Sequence, residues 1–515
     1  MSTAAELKFS SKSAAVHSIK GGSVLKNNTV FIISLIFILA VVALGIFSPN
    51  TLGELAGSVH DSILEYFGWF YLMAALVFLI FSLVIAFSRF GNIKLGGDRE
   101  KPHYSYFGWF SMLFASGMGI GLIFWSVAEP LSHYHSPPEH LEALTGQAAS
   151  FSMLYSFLHW GLHPWAVYIV ISLCIAYFSF RRGMPPLISS CFYSLLGEGI
   201  YGKWGYLIDI FAVLATIFGV VTSLGLGALQ INSGLTHLFG IPESMNVTFI
   251  IIAVATVLFM ISSMTGLDKG IQVLSKANMI VAAIMLLMLL VLGPTVHIFS
   301  VFSSTLGEYL NRLLEISLQA NPFEGETGWA RSWTLFYWAW WISWSPFVGV
   351  FVARISRGRT IREFILGALL VPTLLTFFWF SVFGGTALNM QIHQGIEIAG
   401  RAVDNPPLAL FAMLDYLPFG GLMSLMALIL LSVFFVTSAD SATFVLGMMT
   451  SRGSMYPSTL KKATWGLTQS AVAMVLLSSG GLVALQEMTI AAALPFTFVM
   501  LLLCYSLYKA LHEEV

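Results

Sequence analysis

Twelve apolar runs of the length that crosses the roughly 30 Å hydrocarbon core of a bilayer, the shortest of them 16 residues, fill most of this 515-residue chain. They fall at about 29–47, 67–88, 105–128, 149–179, 205–237, 246–264, 272–298, 331–353, 362–388, 409–450, 464–479 and 486–509. Hydrocarbon offers the backbone no hydrogen bonds, so each run must satisfy its own N–H and C=O groups as a helix. Only 10% of residues are charged, against about 25% in soluble domains. The predicted class is therefore an all-α, multi-pass integral membrane protein. The run at 409–450 exceeds one span and is read as one helix plus a preceding re-entrant or tilted turn. At 303–320, Leu306, Leu310, Leu313, Leu314 and Ile316 stand among charges, which predicts an amphipathic helix on the membrane surface.

The basic residues test this layout. With the N-terminus in the cytoplasm, 21 of the 24 Lys and Arg residues lie on that side, leaving only Arg312, Arg331 and Arg401 opposite. An even span number and two cytoplasmic termini follow, in a cell inner (plasma) membrane. Residues 1–28 read as a polar, disordered cytoplasmic arm, 29–510 as the transmembrane domain and 511–515 as a short tail. The arm lacks the apolar core and small-residue cleavage site of a signal peptide. The net charge of −1 says nothing about nucleic acid, and no nucleic-acid partner is expected. Cys174, Cys191 and Cys504 show neither a disulfide framework nor metal-ligand spacing, and no cofactor is expected.

Two spans carry interruptions. In the third, Gly117-Met118-Gly119-Ile120-Gly121 forms a G-x-G-x-G break. In the eighth, Ser345-Pro346 is read as a second break. The breaks are five spans apart, as an inverted five-plus-five repeat predicts, with about 105–298 as repeat one and about 331–509 as repeat two. Spans one and two stand outside the repeats. Small-x-small patterns also serve plain helix packing. A break would free carbonyls to hold a cation and N–H groups to hold a carboxylate.

The eighth span also holds four tryptophans (Trp338, Trp340, Trp341, Trp344) and Tyr337 within eight residues. Helical spacing puts Trp333, Tyr337, Trp340, Trp341 and Trp344 on one stripe. Span four adds Trp160, Trp165 and Tyr168. Membrane tryptophans usually form interfacial belts, but this stripe runs through a helix interior. Aromatic faces attract a quaternary ammonium without any carboxylate, so the stripe points to transport of a trimethylammonium compound. In span ten, the Thr437 and Ser438 oxygens suit a hard ion such as sodium, completed by freed carbonyls of span three; bonding back to their own helix is the plainer alternative. Asp440 is read as structural. His159 and His163 are read as packing or hydrogen-bonding residues.

At these residues the chain resembles the betaine/carnitine/choline transporter family. The shared strings are GMGIGL at 117–122, the tryptophan run at 336–349, ARISRGRTIRE at 353–363 and TSADS at 437–441. The resemblance implies twelve transmembrane helices, a leucine-transporter-like fold in helices three to twelve, and a homotrimer. It implies a substrate cage of Trp160, Trp165, Tyr168, Trp340, Trp341 and Trp344, with Phe336 at its rim and Gly117, Met118, Gly119 and Gly121 beside it. It also implies a sodium site from the backbone of Ala115, Met118 and Phe434 with the Thr437 and Ser438 hydroxyls. Thr216 and Phe347 match a second sodium site, although Val220 stands where sodium-coupled relatives place another threonine. Choline carriers of the family tend to have aspartate where this chain has Gly121. With no carboxylate expected beside the cage, a net-neutral zwitterion is favoured.

The resulting expectation is a sodium-coupled symporter of glycine betaine or a similar methylated zwitterion. A sodium-independent exchanger or a proton-coupled choline carrier is the alternative. A channel would want a continuous polar pore. An intramembrane enzyme would want a Ser/His, paired-Asp or metal-binding His constellation, and none is apparent in the spans.

Overall fold

The computed structural model describes residues 28–117, 119–265, 268–320 and 328–514. Most of the predicted N-terminal arm, and Met118 in the glycine motif, lie outside the described residues. The long helices are α1 (Thr29–Phe47), α2 (Pro49–Phe87), α3 (Tyr106–Gly117), α4 (Ile120–His135), α5 (Gly146–Trp160), α6 (Leu162–Ala176), α7 (Lys203–Phe239), α8 (Met245–Thr265), α9 (Asp268–Leu292), α10 (Thr295–Ser317), α11 (Thr334–Ile355), α12 (Ile361–His393), α13 (Gly420–Met449) and α14 (Thr459–His512). Among the described residues no β-strand forms; a single bridge pairs Lys94 with Thr360. Among the described residues, ten helical segments are long and apolar enough to cross a membrane, or eleven when the bent pair α3 and α4 is one span.

Several boundaries differ from the sequence expectation. Helix α2 starts at Pro49 rather than near 67. Its first turns carry Glu54, His60, Asp61 and Glu65, too polar for a hydropathy reading, yet Leu52, Ala56 and Leu64 are buried. The expected spans at 464–479 and 486–509 are the two halves of α14, two helices joined across a kink at non-helical Gly480 and Gly481. Gly481 has φ 62°, the left-handed region that glycine enters without penalty. The 54 residues of α14 would span roughly 80 Å if straight, far beyond one bilayer crossing. The amphipathic helix begins earlier than read, at Thr295 after the Gly293-Pro294 stop. It buries Tyr309 and Ser317 and exposes Leu310 and Leu314.

The glycine break in the third span is present, with α3 and α4 bent by 66° across it. The expected break at Ser345-Pro346 is not: α11 runs unbroken through both residues. The defect is repaired locally, because Pro346 leaves the Ile342 carbonyl without its backbone donor and the Ser345 hydroxyl donates to it at 2.7 Å. A different break lies in span four, at Gly161 (φ −96°, ψ −128°) between α5 and α6. There the freed Leu162 N–H donates to the Tyr309 hydroxyl at 3.3 Å, and the Ser317 hydroxyl lies 3.0 Å from His163 Nε2. Thus the buried face of α10 supplies partners for the irregular backbone.

The ARISRGRTIRE segment clamps the foot of α3. Arg359 is buried, its guanidinium 4.0 Å from the Trp109 ring centroid, and its Nη2 donates to the Tyr104 carbonyl at 2.9 Å. Thr360 and Glu363 form a capping box at the start of α12. The helix leading into the glycine break is therefore fixed at its base.

Candidate functional site

Helix α11 is buried nearly all round, so its aromatic residues meet neighbours on several sides rather than on one stripe. Trp340, Trp341 and Trp344 face Trp160 at the end of α5 across the glycine break. The Trp160 and Trp341 rings are 4.9 Å apart and near-perpendicular at 73°; Trp340 and Trp341 stack at 4.8 Å and 16°. Tyr168 meets Trp341 edge-on at 6.2 Å and Trp165 at 5.7 Å. Phe336 stacks on Trp340 at 5.5 Å. All seven side chains are at most 7% exposed, so none is a lipid-facing belt residue.

Two of the indoles are pinned to backbone. The last carbonyls of α5 have no helical donor, and Trp341 Nε1–H donates to that of His159 at 2.9 Å. Trp340 Nε1–H donates to the Gly219 carbonyl of α7 at 3.3 Å. The glycines let the rings lie against backbone. A Cβ on Gly121 would sit 2.5 Å from Trp340 Cη2 and 3.2 Å from Trp160 Cη2, and one on Gly117 would run into Trp165. Gly117, Gly119, Gly121, Leu122, Trp160, Ser223, Trp340, Trp341 and Trp344 together line one cavity. It offers about 10 Å³ to the centre of a water molecule, room for roughly one water. The rings close on one another in this conformation and must part for a trimethylammonium group.

Groups suited to an anion stand at the same place. The first N–H groups of the 16-residue α4 point out of its N-terminus, and no side chain among the described residues caps them. Trp344 Nε1 and the Tyr168 hydroxyl are buried without a hydrogen-bond partner among the described residues. An unmet buried donor costs about 1–3 kcal/mol, so these donors suit an acceptor brought in by a ligand.

The described residues read as cation ligands lie on α3, α7, α11 and α13. Ala115 lies in the last turn of α3, whose final carbonyls have no helical donor. Ile120 of α4 and Phe435 of α13 both pack on Gly227, where a Cβ would be 2.8 Å from Ile120 Cδ1 and 3.1 Å from Phe435 Cδ2. This brings the 434–438 turn of α13 to the glycine break. Thr437 Oγ1 donates to the Val433 carbonyl at 2.9 Å and lies 3.4 Å from that of Phe434, which leaves its lone pairs for a cation. Thr437 and Ser438 are half-buried. Thr216 donates to the Ala212 carbonyl at 2.7 Å and lies 4.0 Å from Met449 Sδ, a soft neighbour for a hard ion. Phe347 packs edge-on against Trp344 at 5.3 Å.

One constellation escaped the sequence reading. Glu129 is fully buried on α4 beside the cage. Its Oε2 accepts from Trp160 Nε1 at 2.7 Å and from the Tyr337 hydroxyl. Its Oε1 lies 2.7 Å from His159 Nδ1 and 3.2 Å from His133 Nε2. His159 Nε2 in turn lies 2.9 Å from Thr334 Oγ1. The ligating atoms of Glu129, His133 and His159 all fall within 4.8 Å of one another. Two expectations are thereby corrected: the spans do hold a clustered Glu/His set, and a carboxylate does stand beside the cage. The third run was read as ending at 128, one residue short. The i, i+4 pair Glu129/His133 on a membrane helix was the available signal.

Residues 29–515 match the profile described as BCCT, betaine/carnitine/choline family transporter. The chain is 49% identical over 488 residues to the glycine betaine transporter OpuD of Bacillus subtilis (strain 168), covering 95% of each chain. It is 43% identical over 488 residues to an ectoine/hydroxyectoine transporter of Virgibacillus pantothenticus, covering 95% of this chain and 97% of that one. It is 40% identical over 506 residues to a glycine betaine/proline/choline transporter of Vibrio parahaemolyticus, covering 95% and 90%. These relatives are transporters, not enzymes.

Proposed function

This chain belongs to the betaine/carnitine/choline transporter family, and on that premise we propose that it carries glycine betaine, or a related methylated zwitterion, into the cell together with sodium by alternating access. The observation that carries the reading is the cavity walled by Trp160, Trp340, Trp341 and Trp344 against the glycines of the α3–α4 break. The rings offer their faces to the onium group, each contact contributing about 0.5–2 kcal/mol. The α4 N-terminus, Trp344 Nε1 and the Tyr168 hydroxyl offer donors for a carboxylate. Partners for both ends of one small molecule favour a zwitterion.

Sodium is the coupling ion in this reading. The Ala115 and Phe434 carbonyls and the Thr437 and Ser438 oxygens are its candidate ligands from α3 and α13, and Met118, the remaining candidate, lies outside the described residues; Thr216 and Phe347 are the candidates for a second ion. An ion that ties α13 to the broken span can favour the state that admits substrate, and the substrate then drives closure by its higher affinity for the closed state. The twelve-span count is supported by the bent α3–α4 pair and by the non-helical Gly480–Gly481 inside α14. The inverted repeat of 105–298 and 331–509 rests on the family, as does a homotrimer. The α11 helix stays continuous, so the site stands beside the breaks of spans three and four rather than those of spans three and eight. The 21 basic residues assigned to one side support cytoplasmic termini in the plasma membrane.

The test is uptake of labelled glycine betaine into proteoliposomes. An inward sodium gradient is expected to give concentrative uptake, and its replacement by potassium only equilibration. Thr437→Ala with Ser438→Ala should raise the half-saturating sodium concentration about tenfold or more, the loss of two oxygen ligands. Equal uptake with and without the gradient would remove sodium coupling and favour exchange.

A further inference from the structure

The cage tryptophan Trp160 is held from behind by a charge. Its Nε1–H donates at 2.7 Å to Glu129 Oε2, which also accepts from Tyr337 of α11. With His159 and His133 on Oε1, two partners face each carboxylate oxygen and fill its lone-pair sites. All five side chains are buried, so water does not screen the group. A metal ion held by Glu129, His133 and His159 would have to enter between Oε1 and two ring nitrogens already at hydrogen-bond distance, 2.7 and 3.2 Å, so hydrogen bonding describes the cluster better than coordination.

Resting on the function proposed above, we infer that Glu129 is a positioning residue for the onium cage, and that its charge sets the balance between net-cationic and net-neutral substrates. A carboxylate that accepts the indole N–H fixes the orientation of Trp160 and pushes electron density into the ring. Both effects strengthen the ring's hold on a cation. A tetramethylammonium ion gains the whole of this field. A zwitterion gains it at its nitrogen and loses part of it at its carboxylate. Thus Glu129 contributes a counter-charge although position 121 carries no side chain.

Glu129→Gln separates charge from geometry. The amide oxygen can accept from Trp160 and Tyr337, while its two N–H groups can donate to ring nitrogens of His159 and His133 in the accepting tautomer. Binding of labelled tetramethylammonium and glycine betaine to the purified full-length protein is compared for wild type, Glu129→Gln, Trp160→Phe and the double variant. Tetramethylammonium affinity is expected to fall on the order of tenfold in Glu129→Gln, and betaine affinity only about threefold. In the Trp160→Phe background, which lacks the N–H, Glu129→Gln should cost markedly less than in wild type. Unchanged tetramethylammonium affinity in Glu129→Gln would overturn the inference, and so would equal losses for both ligands, the mark of a merely structural group. Additive losses in the double variant would overturn the route through Trp160. Failure of the wild type to bind either ligand would instead overturn the proposed function.

Discussion

Trp341→Ala is expected to raise the apparent KM for glycine betaine about 30-fold or more, the loss of one well-placed cation–π contact and of the wall that orders its neighbours. Trp341 is the ring that the others share: it lies 4.8 Å from Trp340, 4.9 Å from Trp160 and 6.2 Å from Tyr168. It also closes the end of α5 by donating to the His159 carbonyl. Removing a buried indole costs about 3–5 kcal/mol of stability, so KM is measured on protein that elutes as a single folded species. Trp341→Phe keeps a ring face and loses the N–H; a several-fold rise is expected there. An unchanged KM in Trp341→Ala would mean that the rings form core and not a binding wall.

Gly121→Ala is expected to lower the initial rate of betaine uptake at subsaturating substrate about tenfold, from the cost of inserting one methyl into a packed site. The added carbon would stand 2.5 Å from Trp340 Cη2. That ring is sandwiched between Phe336 and Trp341 at 5.5 and 4.8 Å, so it cannot yield without carrying the cage with it. At Gly119 a Cβ meets nothing within 4 Å, and Gly119→Ala should stay within about twofold of wild type. Initial rates of the two variants side by side decide this. Equal, wild-type-like rates would show that the α4 backbone does not support the rings.

The clustering of the aromatic rings was legible in the sequence because membrane-buried tryptophans are few and their spacing survives in a helix. Trp160, Trp340, Trp341 and Trp344 meet at one cavity as the pattern predicts. The glycine break was legible for the same reason, since three glycines two residues apart hardly sustain a helix. Pro346 misled because its missing N–H is compensated by the adjacent Ser345 hydroxyl, a correction that depends on a rotamer and not on residue spacing. The break at Gly161 was hidden because its partners, Tyr309 and Ser317, come from α10, about 150 residues away along the chain. Glu129 was passed over because a hydropathy reading ends a span at its first charge. The carboxylate is in fact accommodated inside the helix bundle by Trp160, Tyr337, His133 and His159. Its tolerance there is a tertiary property that no local window records.

The central claim is that the indole faces hold a substrate by the positive charge of its methylated nitrogen. Glycine betaine and 3,3-dimethylbutyrate have nearly the same shape and the same carboxylate; only the first carries the charged nitrogen. Competition of each against labelled glycine betaine on the purified protein tests the claim most directly. The compound without that charge is expected to bind at least about tenfold more weakly, the value of the cation–π contacts it cannot make. Equal affinities would contradict the account, because shape and carboxylate alone would then explain recognition.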